Sequence, residues 1–186
     1  MKRYLAICVL VVFLSGCGGG NSPMEQVVGC RKKLNSGMAY SFDGYITADY
    51  GDKLYSFTLS CQVDSSGRIA FSVISPESIR GITGAIDEEK GALTFDDHIL
   101  AFSLLADGYL SPVSAPWFMI RSLKAGYIRG CGMEEDYVRV VIDDTYEGEP
   151  IQLDIWLDDS LTPVQVDYLW QGRRILTMQV KNFQYL

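Results

Sequence analysis

The amino-acid sequence predicts an α+β fold that is mostly β: one curved antiparallel sheet, dry on one face and wet on the other, with short helices over the dry face. Three observations predict it. From Tyr40 onward, apolar and polar residues alternate with a period of two over most of the chain. Turn residues recur about every ten positions, as strands joined by hairpins require. Two stretches, 24–36 and 111–126, replace the alternation with helical spacing. An apolar sheet face left open would aggregate, so these helical pieces are expected to cover it.

In the first stretch Met24, Val27, Val28 and Leu34 recur at helical spacing, with Cys30 on the same side. Ser22 or Pro23 starts the helix, Lys32 and Lys33 suit its C-terminal end, and Gly37 is placed to cap it. The period then becomes two. Tyr40, Phe42, Ile46, Ala48 and Tyr50 fall on one face; Ser41, Asp43, Thr47 and Asp49 fall on the other, with Tyr45 the exception. Gly51-Asp52 turns the chain. Tyr55, Phe57, Leu59, Cys61 and Val63 then alternate with Ser56, Thr58, Ser60 and Gln62. A turn at 65–67 leads into Ile69, Phe71 and Val73, which completes a three-strand meander.

Residues 75–81 break the pattern. Ser75 is placed to cap a single helical turn, Pro76 suits its first position and Gly81 its end. Strands are expected at 82–86 and 92–95, divided by the charged turn 87–91, and one more at 98–105. In the second helical stretch Ser114 is the expected N-cap, Pro116 lies in the first turn, and Trp117, Phe118, Ile120 and Leu123 make the segment strongly apolar. The alternation then returns through Val138–Val140–Ile142, Ile151–Leu153–Ile155–Leu157, Val164–Val166–Tyr168–Trp170 and Leu176–Met178–Val180. No internal repeat is visible.

The start of the chain obeys different rules. Lys2 and Arg3 precede an apolar run over 4–13, too short for a settled membrane span, and Leu14-Ser15-Gly16-Cys17 follows. This run of small residues ending in cysteine resembles the lipobox of bacterial lipoproteins. The resemblance implies cleavage before Cys17, a diacylglycerol on its thiol, and a chain held by lipid on the extracytoplasmic side of the cell membrane. An ordinary secretory signal with a chance cysteine is the alternative. Three regions result: a signal peptide at 1–16, a lipidated Cys17 with a flexible Gly-Gly-Gly-Asn-Ser-Pro tether at 17–23, and one domain at 24–186. No other stretch is apolar for long enough to span a membrane.

Composition narrows the function classes. The 186 residues are 48% hydrophobic and 21% charged, a globular balance with enough chain for one real core. Loss of Lys2 and Arg3 takes the formal charge from −7 to −9. Such a surface does not suit nucleic acid, nor attraction to anionic headgroups. Cys30, Cys61 and Cys131 remain in a compartment where disulfides persist, and an odd number leaves at least one thiol over. Cys30 and Cys61 each lie on an apolar face, so a Cys30–Cys61 bridge and two buried free thiols are both open.

No catalytic set, metal site or cofactor is expected. His98, in Asp96-Asp97-His98, reads as a turn residue entering a strand, because no second histidine or suitably placed cysteine completes a site. The acidic groups at 87–89, 134–136 and 143–144 sit where hairpin turns are expected, and read as solvated. Asp158-Asp159 lacks calcium-loop spacing, and the glycines follow no phosphate-loop pattern. The aromatic residues Phe57, Phe71, Trp117, Phe118 and Trp170 either line a cavity or fill a solid core; periodicity leaves both open.

The order of elements carries a second resemblance. A helix, a three-strand meander, a Ser-Pro-Glu turn, a mid-chain helix and a closing meander follow an exported N-terminus. The stretch Phe71-Ser72-Val73-Ile74-Ser75-Pro76-Glu77-Ser78-Ile79-Arg80-Gly81-Ile82 is similar to the strand, turn and strand of Gram-positive relatives in the LolA/LolB-like lipoprotein-carrier superfamily. Ile155-Trp156-Leu157-Asp158-Asp159-Ser160-Leu161-Thr162-Pro163, with 166–183, resembles that superfamily's paired closing strands. The resemblance implies a half-open β-barrel whose concave face holds a greasy cavity under a helical lid. Phe57, Phe71, Ile79, Trp117, Phe118, Ile120, Ile155 and Trp170 are the candidate lining residues. It implies a lipid or acyl chain as ligand, with membrane contact through the anchor. The alternative is a non-enzymatic scaffold or sensor that binds another envelope protein. No residue here matches the carrier's charged lipid-gripping position, and a fixed anchor fits a station at one membrane better than a shuttle.

Overall fold

The structure, a computed structural model, describes residues 22–86, 93–95, 105–106, 110–146 and 149–186. The expected signal peptide at 1–16, Cys17, the expected tether as far as Asn21, the expected turn at 87–91 and His98 lie outside the described residues, as does the strand expected at 98–105 apart from Leu105.

Helix α1 spans Pro23–Leu34. Ser22 begins it with a reciprocal cap: its Oγ accepts from Glu25 N at 3.3 Å, and Ser22 N donates to Glu25 Oε2 at 2.9 Å. Ser22 is thus the N-cap and Pro23 the first helical residue, the start expected from the sequence. Asn35, not Gly37, caps the other end. Val27, Cys30 and Leu34 are its buried stripe.

Ten strands form one sheet: β1 (Tyr40–Asp49), β2 (Leu54–Val63), β3 (Ile69–Ser75), β4 (Thr83–Ile86), β5 (Leu93–Phe95), β6 (Tyr127–Glu134), β7 (Tyr137–Tyr146), β8 (Glu149–Leu157), β9 (Pro163–Trp170) and β10 (Arg173–Tyr185). Every pairing is antiparallel, and the spatial order is β5-β4-β3-β2-β1-β10-β9-β8-β7-β6. The sheet is therefore two five-strand meanders that meet where the first strand pairs with the last. Tyr40 opposes Tyr185 and Ala48 opposes Leu176 along that seam. The α+β, mostly β architecture expected from the alternation is the one found.

This topology explains where the second helix lies. The chain leaves the first meander at one edge of the sheet and must enter the second at the other edge. It crosses through a 3₁₀ turn at Pro112–Ser114 and helix α2 at Ala115–Ala125. Helix α2 packs against α1 and against β7, and α1 also packs against β6 and β7. Ser114 precedes α2 as expected, yet its hydroxyl does not cap the helix; it donates to Ser111 O at 2.7 Å. Gly126 is required at the exit, because a Cβ there would stand 2.5 Å from Ile142 Cγ2 and 2.7 Å from the Ser122 carbonyl oxygen.

Local differences from the sequence reading have physical reasons. The turn after β3 is a 3₁₀ helix at Glu77–Ile79 following a cis Ser75–Pro76 bond, and Ser75 does not cap it. The Ser75 hydroxyl donates to Thr58 Oγ1 at 2.8 Å on the neighbouring strand. Strand β6 has no counterpart in the alternation, because Gly130 and Gly132 supply no side chains to alternate and a register shift between Ile128 and Gly130 breaks the period. Tyr45 lies on the wet face and is half exposed, with the Lys181 ammonium 5.4 Å from its ring centre.

Candidate functional site

The candidate site is the inner face of the sheet beneath α2. The alternating residues of β1–β3 and β7–β10 turn inward and join one continuous buried cluster. Helix α2 adds to it on nearly every side: Ala115, Pro116, Trp117, Phe118, Met119, Ile120, Ser122 and Leu123 are all buried, eight of its eleven residues. A helix covering a core from outside buries one stripe. One apolar almost all round contacts apolar material on more than its sheet side.

All eight candidate lining residues come together here. Phe57, Phe71, Trp117, Phe118, Ile120 and Ile155 are buried in the cluster, and Ile79 and Trp170 pack against it half buried. The Trp117 and Phe118 rings meet edge to face, centroids 5.0 Å apart, and the Arg121 guanidinium lies 5.3 Å from the Trp117 ring centre. The Trp170 indole N–H is buried with no partner among the described residues. Of the eight, Phe71 reaches a cleft formed by described residues, a hollow of about 350 Å³ beside Ser60, Ala70 and Thr83. The inner-face side chains of β1–β3 and β7–β10 are almost wholly buried from solvent.

Polar clamps fix α2 over this face, and periodicity did not point to them. At its N-terminal end the buried Tyr168 hydroxyl donates to Ala115 O at 2.6 Å. At its C-terminal end Arg31 of α1 donates to Leu123 O at 2.7 Å, Gly126 O at 2.8 Å and Ser122 O at 3.4 Å. Asn35 Nδ2 donates to Lys124 O at 3.3 Å. A guanidinium at these terminal carbonyls also suits the negative end of the helix dipole. In the middle, Asp144 of β7 accepts from Ser122 Oγ at 2.5 Å and from Arg121 Nη1 at 2.8 Å.

Asp144 corrects the reading of 143–144 as a solvated turn. Strand β7 runs on past its apolar residues, so the alternation carries Asp144 inward, where it is only 5% exposed. Asp154 and Asp167 are a second correction. Both alternate outward as expected, yet are only 5% and 7% exposed. They oppose each other on β8 and β9. Arg139 Nη2 pairs closely with Asp154 Oδ2, which leaves Asp154 Oδ1 to accept from Gln152 at 2.7 Å. Arg174 and Thr177 hold Asp167 at 3.1 and 2.9 Å. The Glu134–Asp136 group does form the β6–β7 turn, and Asp158 folds its own turn by accepting from Ser160 N and Thr162 N.

Cys30, Cys61 and Cys131 are free thiols. Cys30 and Cys61 are buried on the faces expected of them, without the bridge those faces left open. Burial pushes the Cys30 thiol from an ordinary 9.0 up to about 11, and pushes Cys61 higher still. Among the described residues no three His, Cys, Asp or Glu side chains converge as metal ligands, and no helix is long and apolar enough to cross a membrane.

No family model matches the chain, and no curated protein does. Similar solved structures include a conserved protein from Thermus thermophilus at 10% identity and TM-score 0.48, covering 88% of this chain and 87% of that one. A LolA superfamily protein from Nitrosomonas europaea is 8% identical with TM-score 0.44, covering 89% and 94%. A DUF1329 family protein from Desulfovibrio piger is 9% identical with TM-score 0.41, covering 89% and 94%.

Proposed function

We propose that this chain is an extracytoplasmic lipoprotein, anchored through Cys17, that takes a lipid or acyl chain between α2 and the sheet. The observation that carries the reading is α2 itself, apolar on nearly all sides and laid across a continuous dry face. The signal-like segment ending at Cys17 supports the anchor and the compartment. Apolar burial stabilises at about 25 cal/mol per Å², so an acyl chain needs no charged grip to bind well. Trp117, Phe118 and Ile120 would line the ligand from above, Phe57, Phe71 and Ile155 from below. The half-buried Ile79 and Trp170 would stand at its margin, and the Trp170 N–H offers a donor to a polar end.

Native mass spectrometry of the protein released gently from membranes tests this. The expected result is a lipid mass above that of the acylated chain, reduced by Trp117→Ala. A bare acylated chain under every mild extraction condition overturns it.

The near-complete burial of the inner-face side chains favours a second reading, an envelope scaffold that contacts another protein and holds no ligand. In that case the mass stays bare and cross-linking in intact cells yields one specific protein partner.

A further inference from the structure

The sheet ends at β6, and no described residue pairs with that strand's outer side. An open edge is a template for another strand, and exposed edges are commonly blunted by proline, by inward-pointing charge or by very short length. Strand β6 has none of these three; its one irregularity is the register shift between Ile128 and Gly130, and residues 130–134 pair with β7 without a further shift. It runs for eight residues without proline, and its charged residues are Arg129 near the start and Glu134 at the end. Its apolar side chains stand in solvent: Tyr127 is 73% exposed and Met133 57%. Gly130 and Gly132 flank Cys131, and a Cβ built on either meets nothing within 4 Å. Cys131, partly exposed at the rim of the inner face, is the thiol left over by the burial of Cys30 and Cys61.

We infer that β6 pairs antiparallel with β6 of a second copy of this chain, about a two-fold axis at Cys131. The charges select this partner and this direction. Arg129 lies toward one end of the strand, and Glu134-Glu135-Asp136 lies at the other. Antiparallel self-pairing sets the basic end of each copy beside the acidic end of its partner, twice over. Parallel pairing would set like against like. With the axis at Cys131, each Gly130 opposes a Gly132, so no side chains obstruct the approach on that face. The two Cys131 residues stand directly opposite. Opposed residues in antiparallel strands have Cα atoms about 4.5–5.5 Å apart, within the span a disulfide bridges. The two sheets become one, continuous through the edge. This inference concerns the edge of the sheet and does not depend on what the inner face holds.

The test uses the purified full chain and oxidised glutathione. Two Cys131 thiols lose two protons and two electrons as their S–S bond forms, while the glutathione disulfide breaks to two glutathione thiols. The expected result is a species of twice the chain mass that reducing agent reverses, containing a Cys131–Cys131 peptide. Without oxidant, size-exclusion chromatography with light scattering should show a concentration-dependent dimer. Cys131→Ser should keep that dimer and lose the cross-link. Gly130→Lys combined with Gly132→Lys places lysines opposite one another across the axis. It should abolish dimer and cross-link, with circular dichroism unchanged, since both positions have open space in the single chain. A monomer at every concentration, a cross-link through another cysteine, or a dimer that survives the paired lysines overturns the inference.

Discussion

The two meanders do the same work on their inner faces and different work on their outer ones. Inside, both supply alternating apolar residues to one cluster, Phe57, Leu59 and Cys61 from the first and Leu153, Ile155 and Leu157 from the second. Outside, the first meander presents Ser60, Gln62, Ala70, Ser72 and Thr83, small side chains that leave shallow hollows. The second carries a packed polar lattice of Glu134, Arg139, Asp154, Trp156, Asp167, Arg174 and Thr177. The inner face is built mainly by hydrophobic burial, which needs only the right period, with the Asp144–Ser122–Arg121 cluster as its polar exception. The outer face of the second meander is fixed by directional pairing, where the loss of one partner strands the others.

The sharpest way to break that contrast is to remove a buried carboxylate. Asp144→Ala strands the fully buried Ser122 hydroxyl and removes the carboxylate that pairs with Arg121, and should cost about 2–4 kcal/mol of unfolding free energy by urea titration. Asp154→Ala, on the outer lattice, should cost about 2–3 kcal/mol, whereas Ser60→Ala on the first meander should stay within about 0.5 kcal/mol. Equal losses at Asp154 and Ser60 would end the distinction. Gly126→Ala places a methyl against Ile142 and the Ser122 carbonyl, and should cost about 1–3 kcal/mol. A cost near zero would mean that α2 shifts easily over the sheet.

A further effect concerns pH and belongs to the shared core, where Cys30 of α1 is buried. An unfolded Cys30 thiol ionises from 9.0 and the folded one near 11, so between those values the unfolded chain holds fewer protons. Stability attributable to this group is therefore full below pH 9 and falls through the window to 11, by up to about 1.4 kcal/mol per pH unit. Urea midpoints across that range should fall less steeply in Cys30→Ala than in the parent. Identical slopes would mean that Cys30 ionises as freely folded as unfolded.

Residues whose environment follows from their own period are legible in the sequence itself. The first three strands, the flanking helices and the gathering of Phe57, Phe71, Trp117 and Phe118 all follow from spacing. What escaped was set by neighbours distant in sequence. Asp154 and Asp167 stand on the wet side as the pattern says, and only Arg139, Arg174 and Thr177 on adjacent strands make them buried. Arg31 sits beside Lys32 and Lys33, the pair that marks the helix end, and nothing local reveals that it grips carbonyls 91 to 95 residues away. Asp144 is instructive in another way: the two-residue period does apply there, but an acidic doublet reads as the end of a strand.

The seam between β1 and β10 has a consequence for how the chain acquires its shape. Tyr40 meets Tyr185, almost the whole domain apart in sequence. During synthesis the first meander emerges with its innermost strand bare along one side, and that side is closed only when the last thirteen-residue strand has appeared. Contacts of such separation slow folding, because the loop they close must be ordered before they reward it. A chain cut short before β10 would lose the middle of its sheet instead of its margin.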